Sequence, residues 1–579
     1  MMKKKSFLSL VSILLVLSLF LAACSGGSSS SSSGNKEGGE TKTEGAKTDK
    51  PKDGGTITYG IDGAPEGLFE YALYGSAYDS QILEFINEGL FTYDKKLKIK
   101  SDLATWDVSG DKLTYTFKLK KGIKWHNGDP LTADDFKYTY ETIADKDYTG
   151  PRYVNVEHIK GAQEYHDGKA DSISGVEVVD PQTFKVTFKE VRVNNLDNLW
   201  PYPMPKKYYE GIAVKDLAES KQVRKEPIGV GPFKVKKVVA SEYVQMERND
   251  DYWKGKPHLD GVVVKVLDPS VSAGALKKGD VDIMDVRPAD LGQVEKAENL
   301  DFLEGKSTSY SYIGLRFGHR DQKAGKNVDD YEKFKDLKLR QALLYAIDRK
   351  AMVKAFMNDK AVVSNTVIPS VFWIAADQKD LTKYKYSPEK AKKLLAEAGY
   401  KDKNNDGFVE DPNGKPFTIS FGHYAGPANF EGRAKAIMQA WNDIGIKTKL
   451  ATGSLVEFNL YNEMKDNDDK ALEAFFGSWD TGSDPDPTGL WSSDAEWNYG
   501  RWVNKESDEM LKDGLSEKSF DDKYRKDVYV KWQKFFNEQL PALPLWENIN
   551  IYAVNKRVKN VTLDPSTVVV DPEKWSVTE

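Results

Sequence analysis

The amino-acid sequence predicts a mixed α/β fold arranged in separate lobes. Residues 55–60 and 113–119 alternate apolar with polar side chains, which is the pattern of half-buried strands. Apolar side chains recur at helical spacing between Pro388 and Gly399, residue types that favour the start and the stop of a helix. Strands and helices alternate without a regular βαβ period, which favours lobes over a barrel. A chain of 579 residues is long enough for two or three lobes with their own cores.

Capping residues and apolar spacing indicate further helices. Thr132 and Asp135, three residues apart, form a capping pair for the helix that follows them. Apolar side chains recur at helical spacing over residues 339–347. Asp348 directly afterwards is placed to cap a second helix over residues 349–357.

The N-terminus has the pattern of a secretory lipoprotein signal. Lys3, Lys4 and Lys5 precede an apolar run over residues 7–21, which is shorter than the about 20 residues of a membrane span. Small residues then lead to Cys24, the only cysteine of the chain. We expect residues 1–23 to be a lipoprotein signal peptide and Cys24 to carry the lipid. An ordinary signal peptide and an anchor helix are the alternatives.

The segment after the signal has no core-forming pattern. Residues 24–54 are rich in Ser, Gly, Lys, Glu and Thr and show no periodicity. Such a composition cannot bury enough apolar surface to fold. We expect a disordered tether of about 30 residues after the lipidated cysteine.

Composition and missing motifs exclude several classes of function. The formal net charge of −6 leaves no basic surplus for a nucleic-acid partner. With Cys24 lipidated, the mature chain has no disulfide and no cysteine nucleophile or metal ligand. The six histidines lack the H-E-x-x-H spacing, and no G-x-S-x-G elbow or complete P-loop occurs. The S-x-x-K match at residues 387–390 lacks the motifs that accompany it in penicillin-binding enzymes. We therefore expect a protein that is not an enzyme and has no cofactor.

One stretch resembles half of a calcium-binding loop. Asp402, Asn404, Asp406 and Gly407 follow the first half of the EF-hand pattern, but Asn413 stands where the bidentate Glu belongs. The same stretch is rich in turn-forming residues. A polar β-turn insert is favoured over a calcium loop, and we expect no metal site.

Four stretches of the chain resemble one protein family, in the family's own order. They lie at residues 111–136 (with DKLTYTFKL and IKWHNGDPLTADDF), 229–257 (with GVGPFK and RNDDYWKGKP), 338–349 (with KLRQAL and AIDR) and 543–546 (LPLW). This set is similar to the solute-binding family 5 of ABC importers, the peptide and nickel receptors. Residues 140–144 and 164–170 look most like the long Gram-positive branch of oligopeptide-binding lipoproteins.

The resemblance implies a two-lobed fold of the periplasmic-binding-protein type (class II, also called cluster C). In this family two hinge strands join the lobes, the ligand is enclosed between them, and one lobe carries an extra subdomain. By resemblance, the core lobe is expected at residues 55–85, 225–305 and 546–579. The extra subdomain is expected at 86–224 and the second lobe at 306–545.

The resemblance also places the main ligand-binding strand and loop at residues 475–487. The candidate ligand-binding residues of the strand are Gly477, Ser478, Trp479 and Asp480. In peptide receptors of this family such a strand pairs with the peptide backbone, as in strand addition. A carboxylate beyond the strand meets the peptide α-ammonium.

Asp480 is the first candidate for the carboxylate that meets the α-ammonium, and Asp484 is the second. The alternative is that both aspartates only cap turns. The aromatic residues just downstream suit permissive side-chain pockets, and Trp497 and Tyr499 are the candidates among them. Core packing is the alternative for each aromatic residue. Arg501 is either a partner for a peptide carboxylate or a surface charge.

The resemblance implies a receptor that captures oligopeptides between closing lobes and delivers them to the transmembrane subunits of an ABC permease. We expect a monomer on the extracytoplasmic face of the cell membrane, held by lipid on Cys24, with no nucleic-acid partner. The alternative is the same fold with another small solute, such as a dipeptide, a nickel chelate or a sugar.

Overall fold

The computed structural model describes residues 53–427 and 429–578. The expected signal peptide, Cys24 and nearly all of the expected tether lie outside these residues. The described residues belong to one compact unit. None of its described helices has both the length and the apolar character that a membrane crossing requires.

The described residues form strands of very different length. They are β1 (Thr56–Ile61), β2 (Phe91–Tyr93), β3 (Ile99–Ser101), β4 (Ala104–Val108), β5 (Thr114–Leu119), β6 (Val176–Asp180), β7 (Thr183–Thr187), β8 (Phe233–Val239), β9 (Tyr243–Arg248), β10 (Gly261–Val266), β11 (Ile283–Asp285), β12 (Leu300–Leu315), β13 (His319–Asp321), β14 (Lys326–Val328), β15 (Ala361–Val363), β16 (Thr418–Gly422), β17 (Lys447–Leu450), β18 (Ala474–Asp480), β19 (Ala542–Asn555), β20 (Val558–Lys559) and β21 (Ser576–Val577).

Helices connect many of these strands. They are α1 (Ala77–Ile86), α2 (Ala133–Ala144), α3 (Ala162–His166), α4 (Asn195–Asn198), α5 (Lys221–Arg224), α6 (Pro269–Lys278), α7 (Leu291–Val294), α8 (Leu337–Tyr345), α9 (Arg349–Met357), α10 (Pro388–Glu397), α11 (Asn429–Asn442), α12 (Phe458–Asp466), α13 (Thr488–Trp491), α14 (Lys505–Gly514) and α15 (Asp522–Gln539).

The predicted local elements agree with the structure. The strands expected at 55–60 and 113–119 are β1 and β5, and the helix expected at 349–357 is α9. The backbone N–H of Thr132 donates to the Asp135 carboxylate at 2.8 Å, so the predicted capping pair starts α2. Asp348 accepts the Ala351 N–H at 2.9 Å at the start of α9. Gly399 follows α10 with φ of +89°, a backbone conformation that favours glycine.

One large sheet extends through both halves of the fold. Its strand order is β17-β16-β18-β12-β19-β11-β1-β10-β9-β8, and β15 adds to β19. A separate four-stranded antiparallel sheet has the order β4-β5-β7-β6. Mixed parallel and antiparallel pairing with helices between the strands is the α/β class that the sequence predicts.

Two long strands connect the halves of the large sheet. The C-terminal half of β12 pairs with both β18 and the start of β19, whereas its N-terminal half pairs with the end of β19. The β12–β19 register shifts between Lys306 and Tyr310. A shift of this kind disrupts the ladder and bends the strand locally, which suits a hinge. The shift lies beside the expected boundary at residue 306, and the domain boundaries themselves stay a prediction.

Each half has its own apolar core. One cluster of buried side chains includes Ile57, Phe136 and Val262, and it ends with Val577 near the C-terminus. Another cluster is built from residues 313–546 and contains buried Trp441 and Trp546. Separate cores on the two sides of β12 and β19 allow the lobes to move as bodies about these strands.

Candidate ligand-binding site

Strand β18 presents a free edge at its C-terminal end. On one side it pairs antiparallel with β12 from Ala474 to Asp480. On the other side β16 pairs only with Ala474 and Phe475 and then diverges. Among residues 53–427 and 429–578, no strand pairs with residues 477–480 on this second side. The candidate segment therefore offers backbone groups to an added strand.

The direction of these backbone groups follows from a side-chain contact. The Tyr461 hydroxyl lies 2.8 Å from the Phe476 carbonyl oxygen, so this carbonyl points away from β12. Alternate residues of an antiparallel strand turn their N–H and C=O groups to the same side. The N–H and C=O of Ser478 therefore face the free edge. Ser478 is exposed, and its hydroxyl donates to the Tyr310 carbonyl at 3.0 Å.

Position 477 requires glycine because β18 packs closely against Tyr312 of β12. A Cβ atom at this position would lie 2.5 Å from Cζ of Tyr312, whose side chain is buried. Any side chain at Gly477 would displace this ring. Gly477 thus keeps the face of β18 flat against Tyr312 and contributes to the site through its backbone.

Gly477→Ala is expected to destabilise the protein by about 1–3 kcal/mol, because the added methyl group overpacks a buried ring. Thermal unfolding monitored by circular dichroism measures the effect. Gly489→Ala is the matched control, since a Cβ there meets nothing within 4 Å. An unfolding midpoint for Gly477→Ala equal to that of the control would contradict the steric explanation.

Three aromatic residues form a surface that we call the aromatic wall: Trp479, Trp497 and Tyr499. The Trp479 and Tyr499 rings are stacked, with centroids 5.8 Å apart and planes at 8°. The Trp497 centroid lies 6.4 Å from that of Trp479, and its side chain is 53% exposed. The Trp479 indole N–H donates to the Tyr312 hydroxyl at 3.1 Å, which fixes the ring's orientation. The aromatic wall therefore offers rigid apolar surface next to the free edge.

Other aromatic residues of this segment belong to the core. Trp491 and Trp502 are 4% and 6% exposed, which agrees with the core alternative for these two. The Trp491 indole N–H donates to the Tyr310 hydroxyl at 3.2 Å, so this ring supports the site from behind.

Asp480 lies at the C-terminal end of β18, and hydrogen bonds fix the orientation of its carboxylate. The Thr308 hydroxyl donates to Oδ1 at 2.8 Å, and the Ser309 hydroxyl donates to Oδ2 at 3.0 Å. The Gly482 backbone N–H donates to Oδ1 at 2.9 Å. The residue is exposed, and Oδ2 accepts only from Ser309, so a lone pair of Oδ2 remains to accept an ammonium group.

Asp484 lies in a different environment. Its Oδ2 accepts from the Asn194 side-chain amide at 3.0 Å, and its Oδ1 accepts the Asp486 N–H at 3.0 Å. Arg525 Nη2 lies 3.6 Å from Oδ1. Asp484 therefore contacts the segment that carries the four-stranded sheet. Asp480, by contrast, is exposed at the C-terminal end of β18.

A buried cation lies behind the start of the free edge. The Arg433 guanidinium is 4.0 Å from the ring centroids of Phe430 and Phe476, and its Nε donates to His423 Nε2 at 3.0 Å. Burial, together with the positive charge of Arg433, lowers the pKa of His423 to about 3. His423 is therefore neutral, and its Nδ1–H donates to the Tyr424 carbonyl at 2.7 Å.

The structure corrects the interpretation of Arg501 as a surface charge. Its side chain is 1% exposed, and its Nε donates to the Asp468 carboxylate at 2.6 Å. Its Nη1 donates to the Glu496 carbonyl at 2.6 Å. A guanidinium with these partners stabilises the loop that carries Tyr499 and is not placed to bind a peptide carboxylate.

The stretch at residues 402–407 forms turns. The Asp402 carboxylate accepts the N–H groups of Asn405 at 2.7 Å and Gly407 at 3.0 Å, and Asp406 accepts that of Phe408 at 2.9 Å. These bonds are typical of the turn insert that the sequence favours. Among the described residues, no three His, Cys, Asp or Glu side chains are grouped to hold a metal ion.

Sequence reasoning missed the contribution of β12. Thr308 and Ser309 orient Asp480, while Tyr310 and Tyr312 support Ser478 and Trp479. The alternation of serine and tyrosine over positions 309–312 was an available signal of a strand with two functional faces.

Two cavities near the surface lie away from this site. One of about 600 Å³ is lined by residues 125–138 and 205–212, and another of about 340 Å³ lies beside β1, β8 and β9. Neither is lined by β18 or the aromatic wall. β18 combines free backbone groups, aromatic surface and an oriented carboxylate, and it stays the candidate ligand-binding site.

Two lobes joined by long strands, with a free strand edge at the site, define a solute-binding fold of the receptor type. Residues 98–501 match the model of the bacterial extracellular solute-binding proteins, family 5. The chain belongs to this family, which confirms the resemblance seen in the sequence.

The chain is similar to characterised relatives over nearly its whole length. It is 32% identical to the oligopeptide-binding protein AppA of Bacillus subtilis (strain 168) over 585 aligned residues, covering 99% of each chain. The closed structure of lactococcal OppA with an endogenous peptide has 30% identity and a TM-score of 0.75, covering 91% of this chain and 100% of that one. The structure of B. subtilis AppA with a nonapeptide has 29% identity and a TM-score of 0.70, covering 92% and 100%.

Proposed function

We propose that this protein is the receptor of an ABC importer, that it binds oligopeptides between its lobes, and that it delivers them to the transmembrane permease. The free edge of β18 at residues 477–480 carries this proposal. Every peptide offers the same backbone N–H and C=O groups, so strand addition at Ser478 holds peptides of any sequence. Two similar proteins, AppA and lactococcal OppA, have structures with bound peptides.

The aromatic wall and Asp480 contact the parts of the peptide other than its backbone. The aromatic wall offers apolar contacts that tolerate many side chains. Asp480 offers a carboxylate for the α-ammonium, the one cation that free peptides share at that end. The protein acts by binding and release and is not an enzyme, since its family consists of solute-binding proteins. It has no cofactor, and it acts as a monomer.

Native mass spectrometry of residues 50–579, the compact unit, tests the proposal. Protein purified without denaturation is expected to carry a series of bound masses that yield peptide sequences on release. The same spectra report the oligomeric state. A single bound mass that is not a peptide, together with no binding from a random peptide library, would replace oligopeptides by another solute.

We further propose that lipid on Cys24 anchors the protein to the extracytoplasmic face of the cell membrane. The charged start, the short apolar run and the position of the only cysteine support this. Full-length protein is expected to incorporate a fatty-acid label and to fractionate with membranes, and Cys24→Ser is expected to lose both. Labelled membrane protein in the variant would exclude Cys24 as the attachment site.

A further inference from the structure

The loop after β18 contacts the segment that carries the four-stranded sheet. Besides the Asn194–Asp484 hydrogen bond, the Val193 N–H donates to the Leu515 carbonyl at 3.4 Å. Leu97 is 2% exposed and packs in one cluster with Tyr529 and other residues from positions 310–542. The structure therefore shows the two sides of the cleft in contact at this point.

This contact brings together an excess of negative charge. Asn194, whose amide bonds to Asp484, directly precedes α4, and Asp197 lies one turn further along this helix. Its carboxylate therefore approaches Asp484 and Asp486, which belong to the loop after β18. The Arg525 guanidinium of α15 is the cation that faces all three carboxylates. The Arg525 side chain is 6% exposed, and its Nε and Nη2 have no hydrogen-bond partner among the described residues. One buried guanidinium opposite three carboxylates leaves negative charge uncompensated.

Among the described residues, the other side-chain groups that face the cluster are the Asn194 amide and neutral hydroxyls. The Tyr529 hydroxyl of α15 donates to Asp486 Oδ1 at 2.8 Å, and Thr488 Oγ1 donates to the same oxygen at 2.7 Å. Tyr93 of β2 faces Asp197 and Asp484, and Tyr115 of β5 faces Asp197. These tyrosines remain protonated at neutral pH, because burial raises the pKa of each.

We propose that Asp197, Asp484 and Asp486 form a proton-dependent latch, in which closure of the cleft takes up a proton and the closed, ligand-bound state is favoured as the pH falls. Asn194 and Arg525 hold Asp484 in the latch, so Asp484 belongs to closure and not to ligand recognition. The inference rests on the proposed function only in that peptide affinity is its most direct readout.

The direction of the pH dependence follows from the carboxylates. Burial, and then Asp484, raises the pKa of Asp197 well above its ordinary value in the closed state, although Arg525 lowers it. Burial, and then Asp484, raises the pKa of Asp486 to about 6. In an open cleft Asp197 faces water and keeps the ordinary value of about 3.9. The closed state therefore binds more protons, and closure strengthens as the pH falls until the open state is protonated as well.

Peptide affinity measured against pH tests the latch. A peptide without ionisable side chains keeps both terminal charges between about pH 5 and about pH 7. Over this range its Kd, measured by titration calorimetry on residues 50–579, is expected to fall by about fivefold or more toward low pH. Calorimetry in two buffers of different ionisation enthalpy is expected to show net proton uptake on binding.

Asp197→Asn removes the group that closure brings to the cluster. This variant is expected to bind more tightly than the unaltered protein at pH 7 and to lose most of the pH dependence. Asp107→Asn is the matched control, because Asp107 is an exposed carboxylate of β4 that pairs with exposed Lys118. A Kd constant within twofold from pH 5 to pH 7, or an unchanged pH slope in Asp197→Asn, would overturn the proposal.

A measurement without ligand separates this inference from the proposed function. Small-angle scattering of ligand-free protein is expected to show a smaller radius of gyration at pH 5 than at pH 7, and no change in Asp197→Asn. Protein that compacts in this way but binds no peptide would retain the latch and refute the peptide function. Protein that binds peptides but shows neither pH effect would retain the peptide function and refute the latch.

Discussion

Replacing Ser478 by proline is expected to raise the Kd for peptides by roughly 30- to 150-fold, an affinity loss of about 2–3 kcal/mol. The proline ring removes the N–H that faces the free edge, and it occupies the space where an added strand would lie. Proline is tolerated at an edge where the missing N–H does not serve the sheet, so pairing of β18 with β12 is retained. Titration calorimetry with a peptide released from the native protein measures the change.

Two controls separate loss of the backbone N–H from loss of the hydroxyl and from unfolding. Ser478→Ala keeps the backbone N–H and loses only the hydroxyl contacts with Tyr310 and Ser311, so its Kd is expected to stay within about threefold. Thermal unfolding of Ser478→Pro is expected to remain cooperative and close to that of the alanine variant. Peptide affinity equal in the proline and alanine variants would show that peptides do not pair with this edge.

Asp480→Asn is expected to weaken the binding of peptides with a free N-terminus by about 2–3 kcal/mol, or roughly 30- to 150-fold. The change removes the charge that meets the α-ammonium but keeps a carbonyl oxygen that can accept from Thr308 and Gly482. An N-acetylated copy of the same peptide lacks the ammonium charge. Its Kd is expected to be nearly the same for the variant and the unaltered protein.

The pair of peptides separates charge recognition from structural damage. Equal losses for both peptides would mean that Asp480 supports the loop and does not meet the N-terminus. Asp484→Asn is the comparison for the second candidate, and we expect it to affect both peptides alike, because Asp484 bonds to Asn194 across the cleft. A loss confined to the free peptide in Asp484→Asn would assign the α-ammonium to Asp484 instead.

Much of the fold could be predicted because its signals are local. The capping of α2 by Asp135 and of α9 by Asp348 depends on groups three residues apart, so the sequence contains both partners. The alternation that predicts β5 likewise reports one strand with one buried face. The identity of the partner strands depends on contacts that periodicity does not encode, and only the family resemblance anticipated the two long strands.

Part of the candidate site could likewise be predicted from the sequence, and part could be seen only in the tertiary structure. The sequence by itself determined the class of fold and the family, and it predicted a binding segment at residues 475–487. Only the tertiary structure decided that β16 leaves β18 at Phe475 and exposes the edge at Ser478. It also decided that Asp484 bonds to Asn194, 290 residues away, and that Arg501 is buried against Asp468. The physical reason is that a polar side chain acquires its role from the partners that folding brings to it, and these partners lie far away in the chain.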